Sequence, residues 1–271
     1  MTEEAAHTRF EPAFAAHRGS SLPGLIPYVT AGFPRLDSTA PLLAVLERAG
    51  ALAAEVGIPF SDPLADGPTV QRTSWRALEN GVTPSIALNA VRDARAMGVA
   101  LPIALMTYVN PVLAYGVERF AHDAHEAGAD GVIVPDLPVD ESAELRLTLT
   151  RAGLVLIPLV APTTPPARIA RITHGAGGFI YCVSVTGVTG ARDALAPEAL
   201  RLLDAVRSVT PLPRALGFGV SRHEHLTGLA GRAEAAVVGS ALLTAIESRA
   251  DEPEAAASDF IEGMLGTRAA L

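Results

Sequence analysis

Three carboxylates, Glu55, Asp62 and Asp66, fall within residues 55–70, EVGIPFSDPLADGPTV. Residues 52–58 are short, apolar and stopped by Pro59, a pattern that predicts a strand. Side chains alternate along a strand, so Leu52, Ala54, Val56 and Ile58 share one face while Ala53, Glu55 and Gly57 share the other. An acid among the smallest residues of the stretch leaves room for a ligand. Two readings of Glu55 follow. On an edge strand it is solvated, as glutamate usually is. In an apolar interior its carboxyl acquires a raised pKa suited to proton transfer. The loop that follows holds Asp62, Asp66, three prolines and Gly67. Such a loop can be a lid that delivers a second carboxylate, or a connection whose aspartates only cap turns.

What is missing narrows the chemistry. All 21 basic residues are arginine; there is no lysine. No side-chain amine can therefore form a Schiff base with a carbonyl substrate or with PLP, and a P-loop lysine is excluded. No metal site is expected. His122 and His125 are three apart on a predicted helix, and His223 and His225 flank Glu224, but neither set has further ligands at a recognisable spacing. They read as solvated surface histidines.

The elements that must position Glu55 and Asp66 alternate regularly. Strands are expected at residues 25–31, 52–58, 102–108, 131–137, 154–160, 179–185, 214–220 and 235–239, with helical spacing between them. Asp140 is a candidate cap for a helix over 140–152. Eight strands alternating with helices indicate a parallel sheet. Their number and near-continuous apolar character predict an α/β fold, a single closed (β/α)8 TIM barrel with short extra helices. No linker or composition shift divides the chain, so one domain over residues 1–271 is expected.

In such barrels the reactive groups lie at the C-terminal ends of the strands. Glu55, Asp66, Asn110, Asp136, residues 186–190, residues 217–219, Gly239 and Ser240 all fall there. Glycines after the last three strands let backbone N–H groups approach an anion, and Ser240 opens a helix whose dipole favours phosphate. Structural turns would use the same glycines. The residues thus suggest a phosphorylated substrate and two carboxylates for acid/base work. With no lysine or metal cluster to stabilise a carbanion, the substrate must supply its own electron sink, or the reaction must need none.

Composition sets outer bounds. The formal charge of -8 argues against a nucleic-acid backbone or an anionic membrane as partner. Cys182 is the only cysteine, so no internal disulfide is possible, and a cytoplasmic location is expected. The N-terminus carries no apolar signal-peptide core, and no apolar run is long enough for a membrane span.

Residues 27–32 (PYVTAG), 55–70, 108–111 (YVNP), 134–142 (VPDLPVDES), 188–190 (VTG), 217–220 (GFGV) and 239–241 (GSA) resemble the tryptophan synthase α-subunit family in order and spacing. The resemblance covers nearly the whole chain, and the PFSDPLADGPT stretch is its most specific part. It implies retro-aldol cleavage of indole-3-glycerol phosphate to indole and glyceraldehyde 3-phosphate, in which the indole ring is the electron sink. It assigns proton shuttling to Glu55 and stabilisation of the ring N–H to Asp66. It places Tyr28, Tyr181, Thr189 and Phe218 around the substrate, and Gly190, Gly219, Gly239 and Ser240 at its phosphate. For Tyr28, Tyr181 and Phe218, barrel packing is the competing reading. The resemblance also implies a β subunit that carries the PLP, an αββα assembly, and contact with that partner at Asp62, Pro63, Asn110 and Pro138. No cofactor is expected in this chain. The departures are Phe33, where the family often has aspartate, and residues 185–186. Two other readings stay open: a stand-alone lyase that releases free indole, and a non-catalytic barrel that regulates a β subunit.

Overall fold

The computed structural model describes residues 7–184, 195–217 and 219–267. Helix α1 (Phe10–His17) precedes strand β1 (Gly24–Thr30), and α2 (Thr39–Arg48) leads to β2 (Ala54–Gly57). Helices α3 (Pro68–Glu79) and α4 (Pro84–Ala96) follow, then β3 (Ile103–Met106), α5 (Val109–Tyr115), α6 (Val117–Ala127), β4 (Gly131–Ile133) and α7 (Ala143–Arg151). The second half runs β5 (Val155–Leu156), β6 (Leu159–Val160), α8 (Pro166–Thr173), β7 (Ile180–Val183), α9 (Pro197–Arg207), β8 (Arg214–Gly217), α10 (His223–Leu229), β9 (Ala235–Val238), α11 (Ser240–Ser248) and α12 (Pro253–Leu265).

All pairings are parallel, in the order β5-β4-β3-β2-β1-β9-β8-β7-β6. The two ends of this order are one stretch of chain. Pro158 has no N–H to donate, so the ladder is interrupted between β5 and β6. On one side of the gap Ile157 N–H donates to Val132 (2.9 Å); on the other Pro158 C=O accepts from Tyr181 (3.0 Å). The expected fifth strand therefore bridges β4 and β7 and closes the barrel.

Register decides what faces the interior. Tyr28, Glu55, Ala104, Gly131 and Val155 are successive partners across five strands. Above them, toward the strand C-termini, lies the row Thr30, Gly57, Met106 and Ile133. Glu55 thus has small neighbours on the β3 and β4 side.

The N-terminal end is closed by α1. Phe10 packs edge-on to Phe179, ring centroids 5.5 Å apart, and Phe14 lies 5.8 Å from the same ring. Asp130 is buried beneath it. Its carboxylate accepts from Arg9 N–H (2.9 Å), Ile103 N–H (2.9 Å) and the guanidinium groups of Arg9 and Arg95 (both 3.1 Å). Arg95 also donates to the carbonyls of Val99, Leu101 and Gly128.

Three expectations are corrected. Helix α7 begins at Ala143, and Asp140 does not cap it; Asp140 pairs instead with Arg168 and Arg171 on α8. His225 is not a surface residue: it is buried, and its Nδ1 accepts Ser221 N–H at 3.2 Å. Helix α5 had no counterpart in the periodicity, because seven residues after a strand are too few to display a helical repeat. Its start is fixed by Asp136, whose carboxylate accepts Val109 N–H at 3.0 Å.

Asp130→Ala strips a buried, fully bonded carboxylate from two arginines, the start of α1 and the start of β3. An unfolding free energy lower by about 3 kcal/mol is expected in urea titration. A loss below about 1 kcal/mol would show that this network does not hold the barrel floor.

Candidate active site

Glu55 lies on β2 with no exposed surface. Neither carboxylate oxygen has a hydrogen-bond partner. Removal from water penalises only the charged form, so burial pushes this carboxyl from 4.5 up to about 8. The edge-strand reading therefore fails, and at neutral pH the group is predominantly a neutral acid.

Asp66 reaches the same space from the β2–α3 loop. Burial raises it as well, and an interaction with the Tyr108 hydroxyl partly offsets this, leaving it at about 6. Tyr108, just past β3, was not singled out from its residue type. It anchors the loop at three points. Its ring packs on Phe60 with centroids 5.4 Å apart, its oxygen accepts Ala65 N–H at 3.0 Å, and its hydroxyl proton is left for Asp66. A polar aromatic one strand beyond β2, at the same height as the loop, was the available signal.

One cavity of about 280 Å³ gathers most of the expected residues: Tyr28, Glu55, Asp66, Tyr181, Gly219, Gly239 and Ser240. Val70 and Ser221, which sequence reasoning missed, also line it, and the described lining contains no arginine. An anion at the glycine end would therefore be held by neutral donors. Gly219 has φ +91°, a conformation side-chain-bearing residues rarely adopt. Ser240 begins α11, where N–H groups without helical partners face outward. The two tyrosines need glycine neighbours. A Cβ on Gly57 would sit 1.9 Å from the Tyr28 oxygen, and one on Gly217 would sit 2.3 Å from the Tyr181 ring. Thr189, Gly190 and Phe218 lie outside the described residues.

A second cavity of about 420 Å³ adjoins the first across Met106 and Tyr181. Its wall is largely apolar, including Val134, Leu159 and Val160, and it extends to Ala65 and Pro138 at the barrel rim. Asp62, Pro63, Asn110 and Pro138 do not enter the first cavity. They follow β2, β3 and β4, three neighbouring strands, and so form an arc along the C-terminal rim. Leu64 and Leu113 stand on the same arc, 90% and 59% exposed. Among the described residues no group of three or more His, Cys, Asp or Glu side chains is placed to hold a metal, and no helix is long and apolar enough to cross a membrane.

The sequence profile of the family described as "Tryptophan synthase alpha chain" matches residues 14–269. The tryptophan synthase alpha chain of Chloroflexus aggregans is 50% identical over 239 residues, 88% of this chain and 90% of that one. That of Roseiflexus castenholzii is 47% identical over 260 residues, 96% of this chain and all of its own. Among solved structures, the alpha chain from Legionella pneumophila superposes with a TM-score of 0.87 at 32% identity, covering 97% of each chain. A chain from the Pyrococcus furiosus tryptophan synthase a2b2 complex gives 0.85 at 40% identity, covering 90% of this chain and 98% of that one.

Burial of Glu55 has a thermodynamic signature. The unfolded carboxyl ionises near 4.5 and the folded one near 8, so the folded state holds its proton more tightly and stability falls as pH rises between those values. Glu55→Gln removes this dependence. The variant is expected to exceed wild-type stability by roughly 3 kcal/mol at pH 7, with the gain vanishing toward pH 4.5. Denaturant titrations at both pH values test this; a gain independent of pH would refute it.

Proposed function

This chain belongs to the tryptophan synthase alpha chain family, and on that premise we propose that it cleaves indole-3-glycerol phosphate to indole and glyceraldehyde 3-phosphate. The observation that carries the assignment is a dry, unpartnered Glu55 sharing one cavity with Asp66 and the Gly219, Gly239 and Ser240 end.

In this reading the phosphate sits against the backbone N–H groups of Gly219 and Gly239 and the first turn of α11; the family resemblance assigns Gly190 to it as well. Tyr28 and Tyr181 flank the indole, and the family resemblance assigns Phe218 and Thr189 to the same substrate. Protonated Glu55 gives its proton to C3 of the indole, and the resulting cation delocalises onto the ring nitrogen. Ionised Asp66 accepts a hydrogen bond from the ring N–H and stabilises that charge. Glu55, now a carboxylate, takes the proton of the hydroxyl on the adjacent glycerol carbon. The oxygen electrons form the aldehyde, the carbon–carbon bond breaks, and its electron pair restores the neutral indole. Glu55 ends as it began, and the ring does the work that a lysine or metal performs in other carbon–carbon lyases.

The adjoining, largely apolar cavity gives the freed indole a route toward the rim. There Asp62, Pro63, Asn110 and Pro138, with exposed Leu64 and Leu113, form the surface for a β subunit in an αββα assembly. PLP belongs to that partner, since this chain has no lysine to bind it covalently. The chain acts as one barrel domain in the cytoplasm.

The assigning experiment is indole release from indole-3-glycerol phosphate, with and without a cognate β subunit. Slow release that rises with the β subunit is expected. Fast release alone would favour a stand-alone lyase, and no release despite substrate binding a regulatory barrel. Glu55→Gln is expected to abolish cleavage, by about 1,000-fold or more, while binding survives. Asp66→Asn should cost about 3 kcal/mol in kcat/KM; an unchanged value would remove Asp66 from the mechanism.

The pH profile follows from the two carboxyls. Asp66 must be ionised, so kcat/KM should rise through about 6; Glu55 must be protonated, so it should fall above about 8. Asp66→Asn should lose the acid limb alone. Retention of that limb would assign it to another group.

A further inference from the structure

Resting on the lyase reading above, we propose that Thr30 and Thr73 form a directed chain of hydroxyls, ending on the Val70 carbonyl, that positions the start of α3, and with it Asp66, against the strand pair carrying Glu55. Thr30 and Thr73 are fully buried and neither touches the cavity. Such hydroxyls are costly unless bonded, and here they bond to one another.

The geometry fixes both the members and the direction. Tyr28 and Thr30 lie two apart on β1 and face the same way, opposite Glu55 and Gly57. The Tyr28 ring runs along its strand until its oxygen lies over Gly57, the residue that pairs with Thr30. Thr30 Oγ1 is 2.8 Å from Thr73 Oγ1, on α3. Thr73 Oγ1 in turn donates to the Val70 carbonyl at 3.0 Å. Each hydroxyl has one proton. Thr73 spends its own on Val70, so it must accept from Thr30. The protons therefore run one way, from β1 to the first turn of α3.

That first turn begins two residues after Asp66, and Val70 itself lines the cavity. The chain therefore ties the element that delivers Asp66 to the strand beside Glu55. Tyr108 holds the same loop from the opposite side, through Ala65 and Asp66. Asp66 is thus set between two anchors, one on β1 and one beyond β3. The charged and titratable groups facing it are Glu55, Tyr28, Tyr108 and Tyr181. Thr73 touches no substrate and acts only through α3.

Thr73→Val keeps the shape and removes the hydroxyl; Thr73→Ser keeps the hydroxyl. Thr73→Val is expected to lower kcat about 10-fold with KM within about 2-fold, because the loss falls on transition-state geometry. Looser seating of α3 admits water to Asp66, so its carboxyl, followed by carbon NMR, should titrate lower by about half a unit or more. Thr73→Ser should behave as wild type in both readouts. Thr30→Val/Thr73→Val should be little worse than either single variant, since one broken link breaks the chain. Wild-type kcat and an unmoved Asp66 titration in Thr73→Val would overturn the proposal, as would equal loss in Thr73→Ser. Failure of wild type to cleave the substrate would overturn the lyase reading instead. The Asp66 titration would still judge the chain, because it requires no turnover.

Discussion

The structure turns on a carboxyl that has been given nothing to bond to. A buried acid normally acquires an arginine or a set of N–H donors, and either would favour its ionised form. Glu55 has neither. Its row partners are a tyrosine, an alanine and a glycine, which exclude water and supply no donor at its oxygens. The isolation costs stability, and it is also what keeps a proton on the group at neutral pH. A better-solvated or better-paired glutamate at this position would be a weaker source of that proton.

The second carboxyl is treated differently, and the difference is the chemistry. Asp66 is only partly withdrawn from water and meets the Tyr108 hydroxyl, so it stays near 6 while Glu55 moves to about 8. Between those values one group is an acid and the other an anion within a single cavity. Separating two carboxyls in this way assigns acid and electrostatic roles without any metal. Such a division holds only while the walls are fixed. The Tyr28 and Tyr181 rings lie where side chains on Gly57 and Gly217 would otherwise be, so each aromatic wall depends on an empty position on the next strand.

Much of this was readable in the sequence, for identifiable reasons. The strand alternation put Glu55 among small residues because period-2 patterning survives in a strand buried on both faces. The barrel followed from counting strands, and its closure at 154–160 needed only one continuous apolar stretch. The pairing detail at Pro158 was not legible, because a missing N–H interrupts a ladder without changing the hydrophobic pattern. Asp136 and Asp140 show the limit of reading acids by position. Both fall near a strand end, yet one fixes the start of α5 and the other pairs with arginines on α8, contacts made far along the chain. His225 escaped for the same reason, since its burial depends on α10 packing rather than on its neighbours. Tyr108, Thr30 and Thr73 each look like ordinary packing residues, and only the tertiary fold sets Tyr108 beside Asp66 and Thr30 against Thr73.

The two ends of the barrel handle buried charge in opposite ways. At the N-terminal end Asp130 is satisfied by two backbone donors and two arginines, and Arg214 is held by Glu234 at 2.6 and 3.0 Å. At the C-terminal end Glu55 is left alone. The same barrel can carry both because the contributions are local. Fully bonded ions at the floor fix strand ends and seat α1, while the unmet carboxyl lies on the next row along the strands, beside Ala104 and Gly131. Were the cost of Glu55 relieved by a shift of β2 or β3, the row from Tyr28 to Val155 would lose its register. The floor resists that shift, since Asp130 binds Ile103 N–H at the first residue of β3 and so pins the strand that flanks Glu55. Rigidity at one end is thus the condition for an unsatisfied acid at the other.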